Sequence, residues 1–221
     1  MSDAKSSFAP TDRSRIRRNN KRAVYDKDAV FAVVDATPLC HVGYSIDGQP
    51  YVTPTLHWRE GEVMYWHGSS ASRMLKAVKT GIPVCLTVTH FDGFVMARSA
   101  FSHSANYRTA MIYGQARAIE DVREKERSLK VMMDLLFPGR WEELRDNTDQ
   151  ELKATTVVEM PIDNAVAKIR TGPPGDEEED YAARCWAGVL PRSEVWSDPV
   201  PDPRLSSDIA VPGYLDRLVT G

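Results

Sequence analysis

Long apolar runs, paired cysteines and an excess of basic charge are all missing from this chain of 221 residues. Its longest apolar stretches, such as AVFAVV and VCLTV, fall far short of the ~20 residues that a membrane-spanning helix needs. The opening MSDAKSSFAPTDRSRIRRNNKRAVYD holds no apolar segment of signal-peptide length, so the expectation is a soluble cytoplasmic protein. The cysteines, Cys40, Cys85 and Cys185, are odd in number, widely spaced and set in apolar surroundings, which fits reduced core thiols better than a disulfide or zinc framework. A net charge of -3, from 28 Lys and Arg against 31 Asp and Glu, supplies no overall basic field for nucleic acid or an anionic membrane. Also absent are a G-x-S-x-G elbow and an H-E-x-x-H helix. The five histidines, His41, His57, His67, His90 and His103, follow no metal-ligand spacing. Cys40 and His41 are consecutive on a strand pattern and point to opposite faces, which argues against a thiol–imidazole pair.

What the chain does have is mostly strand signal. After a basic arm carrying Arg13, Arg15, Arg17, Arg18, Lys21 and Arg22, Asp26 caps a short helix with Val30, Val33 and Val34 on one face. LCHVGYS, YVTPTLHWRE and VMYWHGS then alternate apolar and polar residues, joined through Asp47-Gly48 and Gly61. Pro54 lacks an N–H for the ladder, so its strand is expected to bulge or to lie at an edge there. The pattern predicts a helix over residues 70–80, closed by Gly81 and Pro83, then strands in VCLTVTHF, DGFVMARSA and NYRTAMIYGQARAIE. DVREKERSLKVMMDLLF reads as an amphipathic helix, and AVAKIRTG as a last strand. Beyond it come DEEED and a proline-rich tail, expected to dock because it carries Trp186, Leu190 and Trp196.

The densest stretch is YWHGSSASRMLKAVKTG, where a strand ends at Gly68 and a helix follows. Ser69 and Ser70 are candidate caps, Ser69 and Ser72 add hydroxyl donors, and Arg73 offers a fork matched to phosphate oxygens. This is a candidate anion site, and a well-capped surface helix is the plain alternative.

Together with CHVGYSIDGQPYVTPTLHW, DGFVMARSAFSHSANYRTAMIYGQARAIED, AKIRTGPPGDEEED and WAGVLP, this stretch resembles the flavin-nucleotide-binding branch of the pyridoxamine 5′-phosphate oxidase-like family. The resemblance implies a mainly β fold: a six-stranded antiparallel split barrel of Greek-key type, with flanking helices and an extended C-terminal tail. Its boundaries would be a basic arm over 1–22, an FMN-binding domain over 23–172, and an acidic loop and docked tail over 173–221. The resemblance further implies a homodimer that holds FMN at the subunit interface.

Carried over residue by residue, His67, Gly68, Ser69, Ser72, Arg73 and Met74 would surround the phosphate, Met74 standing where the oxidase proper has lysine. Thr53, Pro54, Thr55 and Leu56 would lie along the isoalloxazine ring. Asn106, Tyr107 and Arg108 would approach the flavin or the dimer contact, and Trp186 would cover the site. The oxidase's C-terminal arginine and histidine motif is replaced here by WAGVLPRSEVWSDP, which separates this chain from pyridoxamine phosphate oxidation itself. The implied activity is an oxidoreductase passing hydride or electrons between flavin and a small organic substrate or NAD(P)H. The alternative is a flavin or haem binding or sensing protein without turnover, with haem in place of FMN. No residue is singled out as catalytic, because a flavin carries the redox chemistry itself.

Overall fold

Asp26 does cap the first helix: its carboxylate accepts from the backbone N–H of Ala29 at 3.0 Å, and α1 runs Lys27–Asp35 with Val30, Val33 and Val34 buried. A computed structural model describes residues 6–219; residues 1–5 of the expected arm and 220–221 of the expected tail lie outside the described residues. Among the described residues nine antiparallel strands form one sheet: β1 (Ala23–Val24), β2 (Leu39–Ile46), β3 (Gln49–Glu60), β4 (Val63–Ser69), β5 (Thr80–Met96), β6 (Ser104–Ala118), β7 (Thr155–Pro161), β8 (Asn164–Arg170) and β9 (Gly188–Pro191).

Six of these strands close a ring, β5–β6–β7–β4–β3–β2 and back to β5, which is the split barrel. Strand β8 continues the sheet beyond β6, with β1 at its far side, and β9 adds to β5. The β2–β3 turn is made by Asp47 (φ 50°) and Gly48 (φ 77°), the two left-handed residues that such a two-residue hairpin requires. Inside the ring Val42, Met64, Trp66, Leu86, Val88, Ile112 and Met160 make the main core, closed at one side by α1 and α2 (Arg73–Val78). A smaller apolar cluster of Trp58, Tyr65, Ile119, Met132 and Val157 lies under α3 (Val122–Leu136), which Asp121 caps. Two short helices complete the set, α4 (Asp149–Ala154) and α5 (Asp216–Val219).

Several expectations need correction. Helix α2 is six residues long instead of the predicted 70–80, because Ser72 N–H closes a turn on the Ser69 carbonyl before it and Thr80 already belongs to β5. VCLTVTHF and DGFVMARSA are one strand, kinked at a register shift between Phe91 and Gly93. Gly93 has φ 142°, and a Cβ there would collide with the carbonyl oxygen of Leu190, so only glycine lets β9 approach. The strand β7 in TTVVEMP was not expected, although its β-branched run carried the signal. Cys40 is a buried thiol, which burial pushes up to about 12, but Cys85 is half-buried and Cys185 exposed. The tail is held by the β9 ladder and by Tyr214 against Phe137 and Glu143. Trp186 and Trp196, expected to dock it, are 65% and 63% exposed. No described helix is long and apolar enough to cross a membrane.

Candidate functional site

Strand β4 directs Met64 and Trp66 into the core and ends at Ser69, one residue past Gly68, where an added Cβ would stand 3.1 Å from Leu75 Cδ1. The chain then turns sharply. Ser72 N–H donates to the Ser69 carbonyl at 2.8 Å, Ala71 N–H donates to Ser69 Oγ at 3.2 Å, and Ser70 N–H ties the elbow to the Ala154 carbonyl at 2.8 Å. Ser72 occupies the N-cap position of α2 without a side-chain cap. Met74, Leu75 and Val78 face the core, which turns Arg73 outward. The Met74 side chain is thereby 5% exposed and packed inside, so only its backbone adjoins the elbow surface.

Arg73 meets no carboxylate among the described residues; its guanidinium lies 4.6 Å from the centroid of the Tyr51 ring. That contact joins the two motifs that the sequence kept apart, the elbow and the VTPTLHW strand. Tyr51 stacks in turn on Tyr44 at 5.5 Å, and Tyr44 Oη lies 3.3 Å from Thr53 Oγ1. Neither tyrosine was singled out from sequence, although both stand on the same strand face as Thr53.

Residues 49–56 of β3 pair with β2 on one side and with no strand on the other, since β4 joins only from His57 onward. Pro54 sits in unbroken register opposite His41, so the edge expectation holds and no bulge forms. The free edge leaves alternate backbone N–H and C=O groups of Thr53 to Leu56 open, while Val52, Pro54 and Leu56 project outward. His67 points away from the core side of β4. It is half-buried, 6.0 Å from the Trp58 ring, with Nδ1 enclosed and unpartnered, and burial pulls its pKa below the ordinary imidazole value.

A second group gathers on β5 and β6. Arg108 makes a two-point ion pair with Asp92 at 2.9 and 2.8 Å, which holds the Asp92 carboxyl below its usual range. Both line a cleft of about 440 Å³ with Leu39, His41, His90 and Arg192. Leu39 and His41 are the ladder partners of Leu56 and Pro54, so this cleft adjoins the outer side of the open strand. Asn106 is buried and bonded to Arg170 and to the Gly172 carbonyl, and Tyr107 pairs across to Arg170. Arg170 and Asp92 went unnoticed in the sequence because their partners lie on other strands. Trp186 is remote from the elbow in chain order and stands beside β9.

The family model described as pyridoxamine 5′-phosphate oxidase matches residues 26–169. Among solved structures, the flavocytochrome Anf3 from Azotobacter vinelandii is 45% identical over 96% of this chain and 98% of its own, with a TM-score of 0.91. The FAD and heme binding protein from Mycobacterium smegmatis is 33% identical over 90% of this chain and 97% of its own, with a TM-score of 0.85. A FAD-binding protein from Mesorhizobium loti, 11% identical over 68% of this chain and 98% of its own with a TM-score of 0.50, shares the fold alone. No curated protein matches the chain.

Proposed function

The chain belongs to the pyridoxamine 5′-phosphate oxidase family, and from that membership we propose that it is a homodimeric flavoprotein acting as an oxidoreductase. FMN is the flavin that the sequence motifs imply. The likeness to a flavocytochrome and to a FAD and heme binding protein favours FAD with a haem beside it. The choice does not alter the elbow, because FAD contains the FMN moiety.

The observation that carries the flavin reading is Arg73. It is an exposed guanidinium without a carboxylate partner among the described residues, braced on Tyr51, beside the exposed Ser69 and a first helical turn without a side-chain cap. A cation so placed suits a phosphate, with Ser69 and Ser72 supplying further donors. The open edge from Thr53 to Leu56 supplies backbone donors and acceptors in a row, which is what the polar rim of a flavin ring requires. Gly68 lets the elbow pack close against the buried Leu75. His67 stands one residue away on the other strand face, and Arg108 and Asp92 border the adjoining cleft as a candidate substrate subsite.

A bound flavin supplies hydride and single-electron transfer, and the protein's part is to bind, orient and shield it. Shielding favours a second subunit, since Leu39, Val52 and Leu56 expose apolar side chains on one sheet face. Tyr107 would then approach the flavin from the partner, while Asn106 is buried and held by Arg170. The three free cysteines suit a reducing, cytoplasmic setting.

The test is the absorption spectrum of the purified protein, with the released chromophore identified by mass. Anaerobic bleaching by NADH or NADPH and recolouring in air are expected. A colourless protein that takes up neither FMN nor FAD overturns the reading, and a flavin that no reductant bleaches reduces it to binding or sensing.

A further inference from the structure

A histidine that holds a metal presents one ring nitrogen to it and fixes the ring by donating the other N–H to a carbonyl or carboxylate. The five histidines differ sharply by that test. His57 is 4% exposed, and its Nε2 faces the Val34 carbonyl at 3.2 Å. His90 likewise commits Nε2 to the Val33 carbonyl at 2.9 Å. Each of these keeps only Nδ1, the nitrogen crowded by its own backbone. His67 has Nδ1 enclosed without a partner, and His41 is exposed with nothing to orient its ring. His103 alone among the described histidines donates through Nδ1, to the Ser99 carbonyl at 2.8 Å, and its ring is exposed. A carbonyl only accepts, so the tautomer is set and the Nε2 lone pair is left free.

His103 lies between the Arg98–Asp176 ion pair, close enough for charge coupling between Asp176 and the imidazole, and an apolar strand face. Ser104, the next residue, pairs with Val95 of β5, while Met96 pairs with Gly188 and Phe94 with Leu190 of β9. Alternation sends Val95 inward and puts Phe94, Met96 and Leu190 on the outer face, all exposed. The indole of Trp186 lies over Gly188, where a Cβ would stand 2.9 Å from the ring, so glycine makes room for the tryptophan on the same face. Phe101, two residues before His103, is 94% exposed. An apolar strand face of this kind beside a pre-oriented imidazole matches two needs of a haem, an axial nitrogen and an apolar wall, with the Arg98–Asp176 pair at its border.

We propose that His103 is the axial ligand of a haem iron and that Phe94, Met96, Leu190 and Trp186 form the wall against which the macrocycle is held. The inference rests on the haem part of the proposed function and assigns to it a residue and a surface.

The experiment is haemin titration of the full chain, read by the Soret band and by pyridine haemochrome stoichiometry, with flavin content and circular dichroism as folding checks. Wild type, His41→Ala and His67→Ala are expected to take up haem. His103→Ala loses the band, and added imidazole restores it. His103→Tyr keeps a ligand but shifts the spectrum. An unchanged Soret band in His103→Ala, or its loss in His41→Ala or His67→Ala instead, overturns the assignment while leaving the haem reading intact. A wild type that keeps flavin and takes up no haemin overturns both.

Discussion

The guanidinium of Arg73 lies 4.6 Å from the ring centroid of Tyr51, which pins the start of α2 to the open strand β3. An exposed cation–π contact of this kind contributes ~0.5–1 kcal/mol, enough to orient the side chain and leave its donors available.

Removal of that cation should therefore act on phosphate binding. A hydrogen bond to a charged group contributes about 1.5–3 kcal/mol, so Arg73→Ala is expected to weaken FMN or FAD binding about 10- to 100-fold. Riboflavin, which lacks the phosphate, should bind as before. Fluorescence titration of both ligands checks this; equal losses would show that the elbow is only a strand-to-helix turn.

Gly93 bears on the fold. With φ at 142° and the Leu190 carbonyl oxygen in the space that a Cβ would fill, Gly93→Ala must displace backbone. Strain of this type costs about 1–3 kcal/mol. A lowered urea midpoint is expected, together with faster amide exchange at residues 188–191; a variant as stable as wild type would contradict the close approach of β9.

Stability should fall on mild acidification. Burial lowers the pKa of His57 from its ordinary 6.5, so the folded chain keeps the ring neutral where the unfolded chain is protonated. The contribution is complete above that value and is lost as pH falls below it toward the depressed folded pKa. His57→Gln should flatten the pH dependence of the urea midpoint between pH 7 and 6, and an unaltered slope would count against the buried neutral imidazole.

The subunit contact is testable at the outer sheet face. Light scattering is expected to give a dimer for the native chain, and Leu39→Glu with Val52→Glu a monomer that has lost flavin. A native monomer with stoichiometric flavin would rule out a shared site.

Local physics was legible in the residues. The Asp26 cap, the Asp47-Gly48 hairpin and the alternation of β2, β3 and β4 each depend on neighbours a few positions away, and each stands as expected. The resemblance added the split barrel, which the six-stranded ring bears out. Legibility failed where two signals competed. A backbone turn at Ser69 delayed the start of α2, and glycine at position 93 marked a bulge within a strand instead of its end.

Taken alone, the sequence determined most of the strands, helices α1 and α3, which of their faces are apolar, and that the elbow carries a cation. Only the tertiary structure decided that Arg73 meets Tyr51, that Arg108 is matched by Asp92, that Arg170 holds Asn106, and that Trp186 stands in the open beside β9. The reason is physical. Caps and turns are set by dihedral preferences within a few residues, whereas these pairings depend on ladder register between strands up to a hundred residues apart, which no local pattern encodes.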